Sequence, residues 1–329
     1  MKNEIYGIGV CVLSMFLCVS CGYGERDSEP AVVIERMDSA AVCYMSASQK
    51  TRDSLNNAFS PALPLLASMF GAGSVDSAIA VYARTPAVEV FAPDVAARMP
   101  DITEYETALG YVRAILAQKL PGLKFPAHIY GMVTPFRQSV VMSDSVLFLG
   151  LNHYLGTDYP GYAGFDEYVL RDKVSMRIPM DVAEAIVASA YPYEFSGDGE
   201  TVLSRMVYDG AIVAVVLGCV PDKTLADVLG WDAEELKWVE ENESNIWSAI
   251  VERGLLYSTD RMDSERLVGP SPATSVLHAD APGRIGRYIG YRIVKSYLEN
   301  NLDVKLSDVL SPGFYKSRTV LMDSGYVGH

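Results

Sequence analysis

The sequence predicts an α+β protein, a single domain in which α-helices predominate over a small β-sheet. Apolar residues recur at helical spacing over most of the chain, and this spacing changes to short β-branched and aromatic runs only around residues 125–151. Half of the 329 residues are hydrophobic, which is sufficient for a large core. Because the composition does not change after residue 31, we expect one domain over residues 31–329.

The helices of the first half are predicted to be short. Pro61 and Pro64 divide one apolar stretch into two helices, because proline lacks the amide that a helix interior requires. Helices should follow over residues 74–83 and 103–119, and the second of these ends before Pro121.

Two runs near the middle of the chain, FPAHIYGMV (125–133) and SVVMSDSVLFLGL (139–151), are predicted to form paired strands. A loop rich in glycine and tyrosine comes after them at residues 152–165. Further helices are predicted over residues 180–190, 201–217, 224–229, 232–253, 283–299 and 306–310.

The predicted helix at 283–299, which Asp280 and Pro282 should introduce, carries Gly286 and Gly290 on one apolar side. A glycine within a helix costs about 1 kcal/mol relative to alanine, so we expect another helix or loop to approach this side closely. Arg284 and Arg287 lie in the first turns, where the helix amides favour an anion. We expect these arginines to pair with carboxylates of the same chain, and an acidic ligand or partner is the alternative.

The N-terminus is predicted to be a lipoprotein signal peptide of residues 1–20. Its apolar run from Ile5 to Val19 is too short to span a bilayer comfortably. Cys21 follows a small residue at the end of this run, which resembles a bacterial lipobox and implies cleavage before Cys21 and its acylation. Residues 21–30 would then tether the domain to a membrane. An ordinary cleaved leader and a retained anchor are the alternatives.

Few residues suggest catalysis, and the sequence predicts no catalytic group, cofactor or metal. The four histidines form no HxxxH or HExxH pair, and P-loop, GxGxxG and GxSxG motifs are absent. His153, in a loop after a strand, and Asp209, within an apolar helix, are the weak candidates for a metal or acid site. For Asp209 we favour an ion pair with an arginine, because a buried carboxylate needs a partner. The remaining thiols, Cys43 and Cys219, could form one disulfide, which the sequence leaves open.

Three separate blocks resemble the GldB family of gliding-motility lipoproteins of Bacteroidota. They are VLFLGLNHYLGTDYPGY (146–162), ENESNIWSAIVERGLLYSTD (241–260) and PGRIGRYIGYRIVKSYLENN (282–301). The resemblance implies an envelope lipoprotein needed for gliding and linked to the machinery that secretes and moves surface adhesins. It also suggests a distant similarity to predicted zinc proteases. Since the helix at 180–190 lacks their histidines, it implies a zincin-like shell without the catalytic metal.

We therefore expect a non-enzymatic protein, anchored by acyl chains on the periplasmic side of the inner membrane or in the outer membrane, that docks other envelope motility or secretion proteins. The net charge of −14 argues against nucleic acid as a partner. The candidate contacts are Tyr154, Tyr159 and Tyr162, expected to be exposed, and Arg284 and Arg287. The alternatives are a zincin-like hydrolase with ligands distant in sequence, and a lipoprotein that binds a glycan or small acidic ligand through these tyrosines and arginines.

Overall fold

The computed structural model describes residues 32–195 and 200–328, which form a helix-dominated α+β domain. The predicted leader, Cys21 and the tether lie outside the described residues. The strands are β1 (Ile34–Arg36), β2 (His128–Met132), β3 (Val140–Ser143) and β4 (Val146–Gly150). The α-helices are α1 (Met37–Tyr44), α2 (Gln49–Ala58), α3 (Leu63–Phe70), α4 (Ala78–Ala83), α5 (Pro86–Arg98), α6 (Thr103–Lys119), α7 (Glu167–Leu170), α8 (Ile178–Ala190), α9 (Val202–Cys219), α10 (Leu225–Leu229), α11 (Ala233–Glu241), α12 (Glu243–Glu252), α13 (Arg261–Val268), α14 (Ile285–Asn300), α15 (Leu306–Val309), α16 (Pro312–Tyr315) and α17 (Val320–Ser324).

The sheet has the strand order β1-β2-β4-β3. Strands β1, β2 and β4 are parallel, and β3 pairs with β4 in an antiparallel hairpin. Asp144 in the hairpin turn has a φ of 49°, a conformation that aspartate tolerates better than most residues. The predicted pairing of the two runs is confirmed. Strand β1 was not predicted, because three residues are too few to establish an alternating pattern.

Helix α9 forms the centre of the domain. Its side chains are apolar on nearly every side, and a capping box between Thr201 and Ser204 fixes its first turn. By length and composition α9 is the described helix that could cross a membrane, yet 72% of it is buried within the domain. A helix that is apolar all round is expected at the core of a helical layer, and α6, α8, α13 and α14 pack against it.

Helix α14 crosses α9 with the two backbones in direct contact. Gly290 lies against the carbonyl group of Met206, and Gly210 lies against the backbone of Gly290, so that a Cβ atom at either glycine would overlap its neighbour. The close approach that the glycines predicted is therefore confirmed. The apolar surface buried at this crossing offsets the cost of placing Gly210 and Gly290 within helices.

Two predicted helix boundaries are wrong. The stretch 232–253 forms two helices, α11 and α12, which meet at Asn242. Helix α14 begins at Ile285 rather than Gly283, after Arg284 adopts a left-handed φ of 68°. The indole of Trp231 donates a 2.8 Å hydrogen bond to the Gly283 carbonyl, and such tertiary contacts hold the preceding residues outside the helix. Six helices were not predicted: α1, α5, α7, α13, α16 and α17.

Candidate functional site

Eight charged side chains form a network where α8, α9 and the start of α14 meet, and we call it the ionic network. Its members are Asp172, Arg177, Asp181, Glu184, Arg205, Asp209, Arg284 and Arg287. Four carboxylates face four guanidinium groups, so their formal charges balance. Burying charges is unfavourable unless they are paired, and each member of the network lies within 3.5 Å of an opposite charge. The Nε and Nη2 atoms of Arg287 nevertheless make no well-aligned hydrogen bond.

Arg284 binds Asp172 through both guanidinium nitrogens and donates a further 2.7 Å hydrogen bond to the Leu229 carbonyl. Arg177 approaches the same carboxylate at 3.5 Å. Burial alone would raise the pKa of Asp172, but Arg284 and Arg177 outweigh it and hold that pKa below its ordinary value. Asp172 therefore stays ionised between two cations.

Asp181, one turn after Arg177, receives two kinds of hydrogen bond. The Arg177 guanidinium lies 3.0 Å from one carboxylate oxygen, and the Tyr154 hydroxyl donates to the other at 2.9 Å. Burial raises the pKa of Asp181 above its ordinary value, and the charge of Arg177 opposes this rise. Tyr154 is thus an internal partner of the network.

The remaining pairs join α8 to α14 and span one turn of α9. The Arg287 and Glu184 groups approach to 2.9 Å, and the pKa of Glu184 is lowered because Arg287 outweighs the effect of burial. Arg205 donates a 2.7 Å hydrogen bond to Asp209, whose pKa burial raises. The arginine pairing favoured for Asp209, and the internal pairing favoured for Arg284 and Arg287, are both found in the structure.

His153 lies beside the network in a buried position. Its Nδ1 is 2.8 Å from the Lys173 ammonium, and its Nε2 is buried without a hydrogen-bond partner. Burial, reinforced by the charge of Lys173, lowers the pKa of His153 to about 4. The imidazole is therefore neutral at pH 7 and accepts a hydrogen bond from Lys173.

The expectation that Tyr154, Tyr159 and Tyr162 are exposed is wrong, since they are 2%, 7% and 4% exposed. The Tyr159 hydroxyl donates to Asp94 at 2.6 Å, and the Tyr162 hydroxyl donates to the Asn152 carbonyl. Tyrosine combines a large apolar ring with a polar tip, so a tyrosine-rich loop can serve as a core layer once each hydroxyl finds an acceptor. These three buried tyrosines therefore stabilise the 152–165 loop through packing and hydrogen bonds.

Arg284 and Arg287 are also less accessible to a partner or an acidic ligand than the sequence suggested. Their side chains are 12% and 11% exposed, and each faces a carboxylate of the network.

Within residues 32–195 and 200–328, no three His, Cys, Asp or Glu side chains converge as a metal site. Cys43 is exposed and Cys219 is buried, and both are free thiols, so they do not form a disulfide.

Sequence reasoning missed five of the eight members of the network: Asp172, Arg177, Asp181, Glu184 and Arg205. The Arg177–Asp181 pair has the i,i+4 spacing of neighbouring helical side chains, a signal that could have been used. The pairing of Asp172 with Arg284 spans 112 residues, and no local pattern indicates it. Because every carboxylate of the network is engaged by an arginine, the arrangement links the helices that carry these side chains.

The sequence model of the family described as gliding motility protein GldB matches residues 25–328. Neither a curated protein nor a solved structure matches the chain. The match covers the three sequence blocks 146–162, 241–260 and 282–301, and two of them supply Tyr154, Arg284 and Arg287 to the ionic network or its edge.

Proposed function

Since the chain belongs to the family of gliding motility protein GldB, we propose that it is a lipid-anchored envelope component of a gliding or secretion apparatus that binds other proteins and does not catalyse a reaction. The family match over residues 25–328 is the observation that carries this proposal. The anchor would be the acylated Cys21, on the periplasmic side of the inner membrane or in the outer membrane.

The ionic network supports a structural rather than a catalytic role for the buried charges. Each carboxylate is paired with a guanidinium group, which stays charged at every physiological pH, so these pairs join the helices that carry them. His153 and Asp209, the weak candidates for a metal or acid site, are held by Lys173 and Arg205 respectively. An interior held together in this way suits a protein that functions by binding partners at its surface.

The surface that best fits a protein partner lies at the start of α9 and α13, and we call it the aromatic surface. It consists of Phe195, Tyr257, Arg261 and Met262, of which Phe195, Tyr257 and Met262 are 55%, 66% and 56% exposed. The Arg261 guanidinium stacks over the Phe195 ring at 5.3 Å from its centroid. Aromatic residues, arginine and methionine are the types enriched where proteins bind each other.

Affinity capture of the full-length, membrane-anchored protein from its own cells tests the proposal. We expect gliding or secretion subunits to be recovered with the wild-type protein. The double variant Phe195→Ala, Tyr257→Ala should lose them, because truncating central aromatic contacts typically costs about 2 kcal/mol or more each.

The matched control is Val251→Ala, which changes an exposed apolar residue on α12 and should leave capture unchanged. Recovery of the protein alone, with gliding and secretion intact after deletion, would contradict the proposal. Stoichiometric zinc in the purified protein would instead favour the hydrolase alternative.

A further inference from the structure

A groove of about 960 Å³ opens along one side of α6, and we call it the α6 groove. Helix α6 forms one wall, and the segments 175–179 and 219–223 form the other. Its apolar lining consists of Tyr105, Ala108, Tyr111, Ile115, Met176, Pro179 and Val220. Met176 is 41% exposed at the opening, so the apolar lining continues to the protein surface.

The rim of the groove carries both signs of charge. Glu104 and Asp222 are acidic, and Lys223 is basic and lies 2.9 Å from Asp222. A rim of this kind does not select an anion. Because Lys223 is already paired with Asp222, the rim carries little net charge, and it suits a zwitterionic head group, which is neutral overall.

The first residues that the structure describes contact the same helix, α6. The Val32 amide donates a 3.1 Å hydrogen bond to the Glu106 carbonyl of α6, and the Ile34 amide donates to the Glu106 carboxylate at 2.8 Å. The stretch from Cys21 to Val32 reaches at most about 40 Å when fully extended. An anchor at Cys21 therefore keeps α6, about 10 Å thick with its side chains, close to the bilayer.

We propose that the α6 groove binds an acyl chain of a zwitterionic phospholipid from the membrane that holds the Cys21 anchor. This inference rests on the lipid anchoring in the proposed function. The preceding chain segment, GYGERDSEPA (22–31), is too polar to fill an apolar groove, because burying its charged side chains without partners is unfavourable. An acyl chain from the adjacent bilayer has the matching chemistry and is present at high local concentration.

Lipid binding in the α6 groove also fixes how the domain is oriented relative to the bilayer. Cys219 and Val220 place the groove at the C-terminal end of α9, whereas Thr201 and Leu203 lie beside Tyr257 of the aromatic surface at the N-terminal end. At 1.5 Å per residue the two ends of α9 are roughly 27 Å apart. A lipid held in the α6 groove turns the aromatic surface away from the bilayer, toward a protein partner.

Photo-cross-linking in vesicles tests the inference with the full-length acylated protein. The vesicles contain phosphatidylethanolamine and phosphatidylglycerol, with a small fraction of phosphatidylethanolamine carrying a diazirine in one acyl chain. After irradiation, we expect adducts on peptides that contain Ala108, Tyr111 and Met176. Ala108→Trp should lower these adducts by about tenfold, equivalent to ~1.4 kcal/mol of lost binding.

A second variant, Met176→Asp, places a charge at the groove opening and should reduce the same adducts without altering the buried side of α6. Val251→Trp is the control, because it enlarges an exposed apolar residue on α12 away from the groove. Adducts spread evenly over exposed apolar residues, or no groove adducts, would each overturn the inference. The mass of the N-terminal peptide in the same digest reports acylation separately, so a missing anchor is distinguished from an empty groove.

Discussion

Gly210 of α9 and Gly290 of α14 lie backbone against backbone where the two helices cross, with no space for a side chain at either position. This contact fixes how closely α14 can approach the central helix. It also brings Arg287 of α14 alongside Glu184 of α8, so the packing of the helices and the pairing of the buried charges depend on the same approach.

Replacing Gly290 with alanine should destabilise the protein by about 3 kcal/mol, because the new methyl group would overlap the Met206 carbonyl and force the helices apart. Urea unfolding followed by circular dichroism measures this change. Gly218→Ala is the matched control in α9, since the nearest atom to its added carbon is the Lys119 Cε at 3.8 Å. That variant should gain about 0.5–1 kcal/mol from its better helix propensity. Equal effects of the two substitutions would refute the close crossing.

Removing the carboxylate of Asp172 should be costly. Asp172→Asn leaves Arg284 and Arg177 without their shared counter-ion. Because the Asp172 side chain is 26% exposed, we expect a cost of about 2 kcal/mol, between the values typical of exposed and of buried pairs. Lys295→Met is the comparison, because it breaks a 3.9 Å pair with Glu299 on the surface and should change the stability by roughly 0.5 kcal/mol or less. Both values come from the same unfolding measurement. A small loss for Asp172→Asn would mean that solvent reaches the ionic network.

The buried His153 predicts a pH dependence of stability. Its pKa is about 4 in the folded protein and near 6.5 when unfolded, so between these values the unfolded chain binds a proton that the folded chain excludes. The free energy of unfolding should therefore fall as the pH is lowered from 6.5 to 4, with a contribution on the order of 3 kcal/mol. His153→Asn should flatten this part of the stability profile. An unchanged slope in the variant would show that the imidazole is accessible to protons when folded.

The two thiols of the domain should differ sharply in reactivity. Cys43 is exposed, whereas Cys219 is buried and its pKa is raised to about 12 by burial, which keeps the reactive thiolate scarce. Iodoacetamide should label Cys43 rapidly in the folded protein and Cys219 only after unfolding, as read from peptide masses. Labelling of neither residue without prior reduction would reveal a bond between them that the structure does not contain.

Local patterns in the sequence predicted much of the fold. Helix α6 has the predicted bounds, and the paired strands follow from their short β-branched runs. The glycine spacing of α14 indicated a close helix contact, but no pattern identified Met206 and Gly210 as the groups on the other side. The tyrosines of the 152–165 loop show most clearly what local sequence patterns could not predict. Composition placed them on the surface, and the acceptors that bury them, Asp94 and the Asn152 carbonyl, are supplied by the folded chain.

The sequence by itself determined the helix-dominated class of this protein, its family and the close contact of α14 with another element, because periodicity, motif order and glycine spacing are local properties of the chain. The tertiary structure alone decided which charges pair, which aromatic side chains are buried and where the α6 groove opens. The reason is physical. Contacts such as that between Asp172 and Arg284 join residues far apart in the chain, and their strength depends on a burial that exists only after the helices have packed.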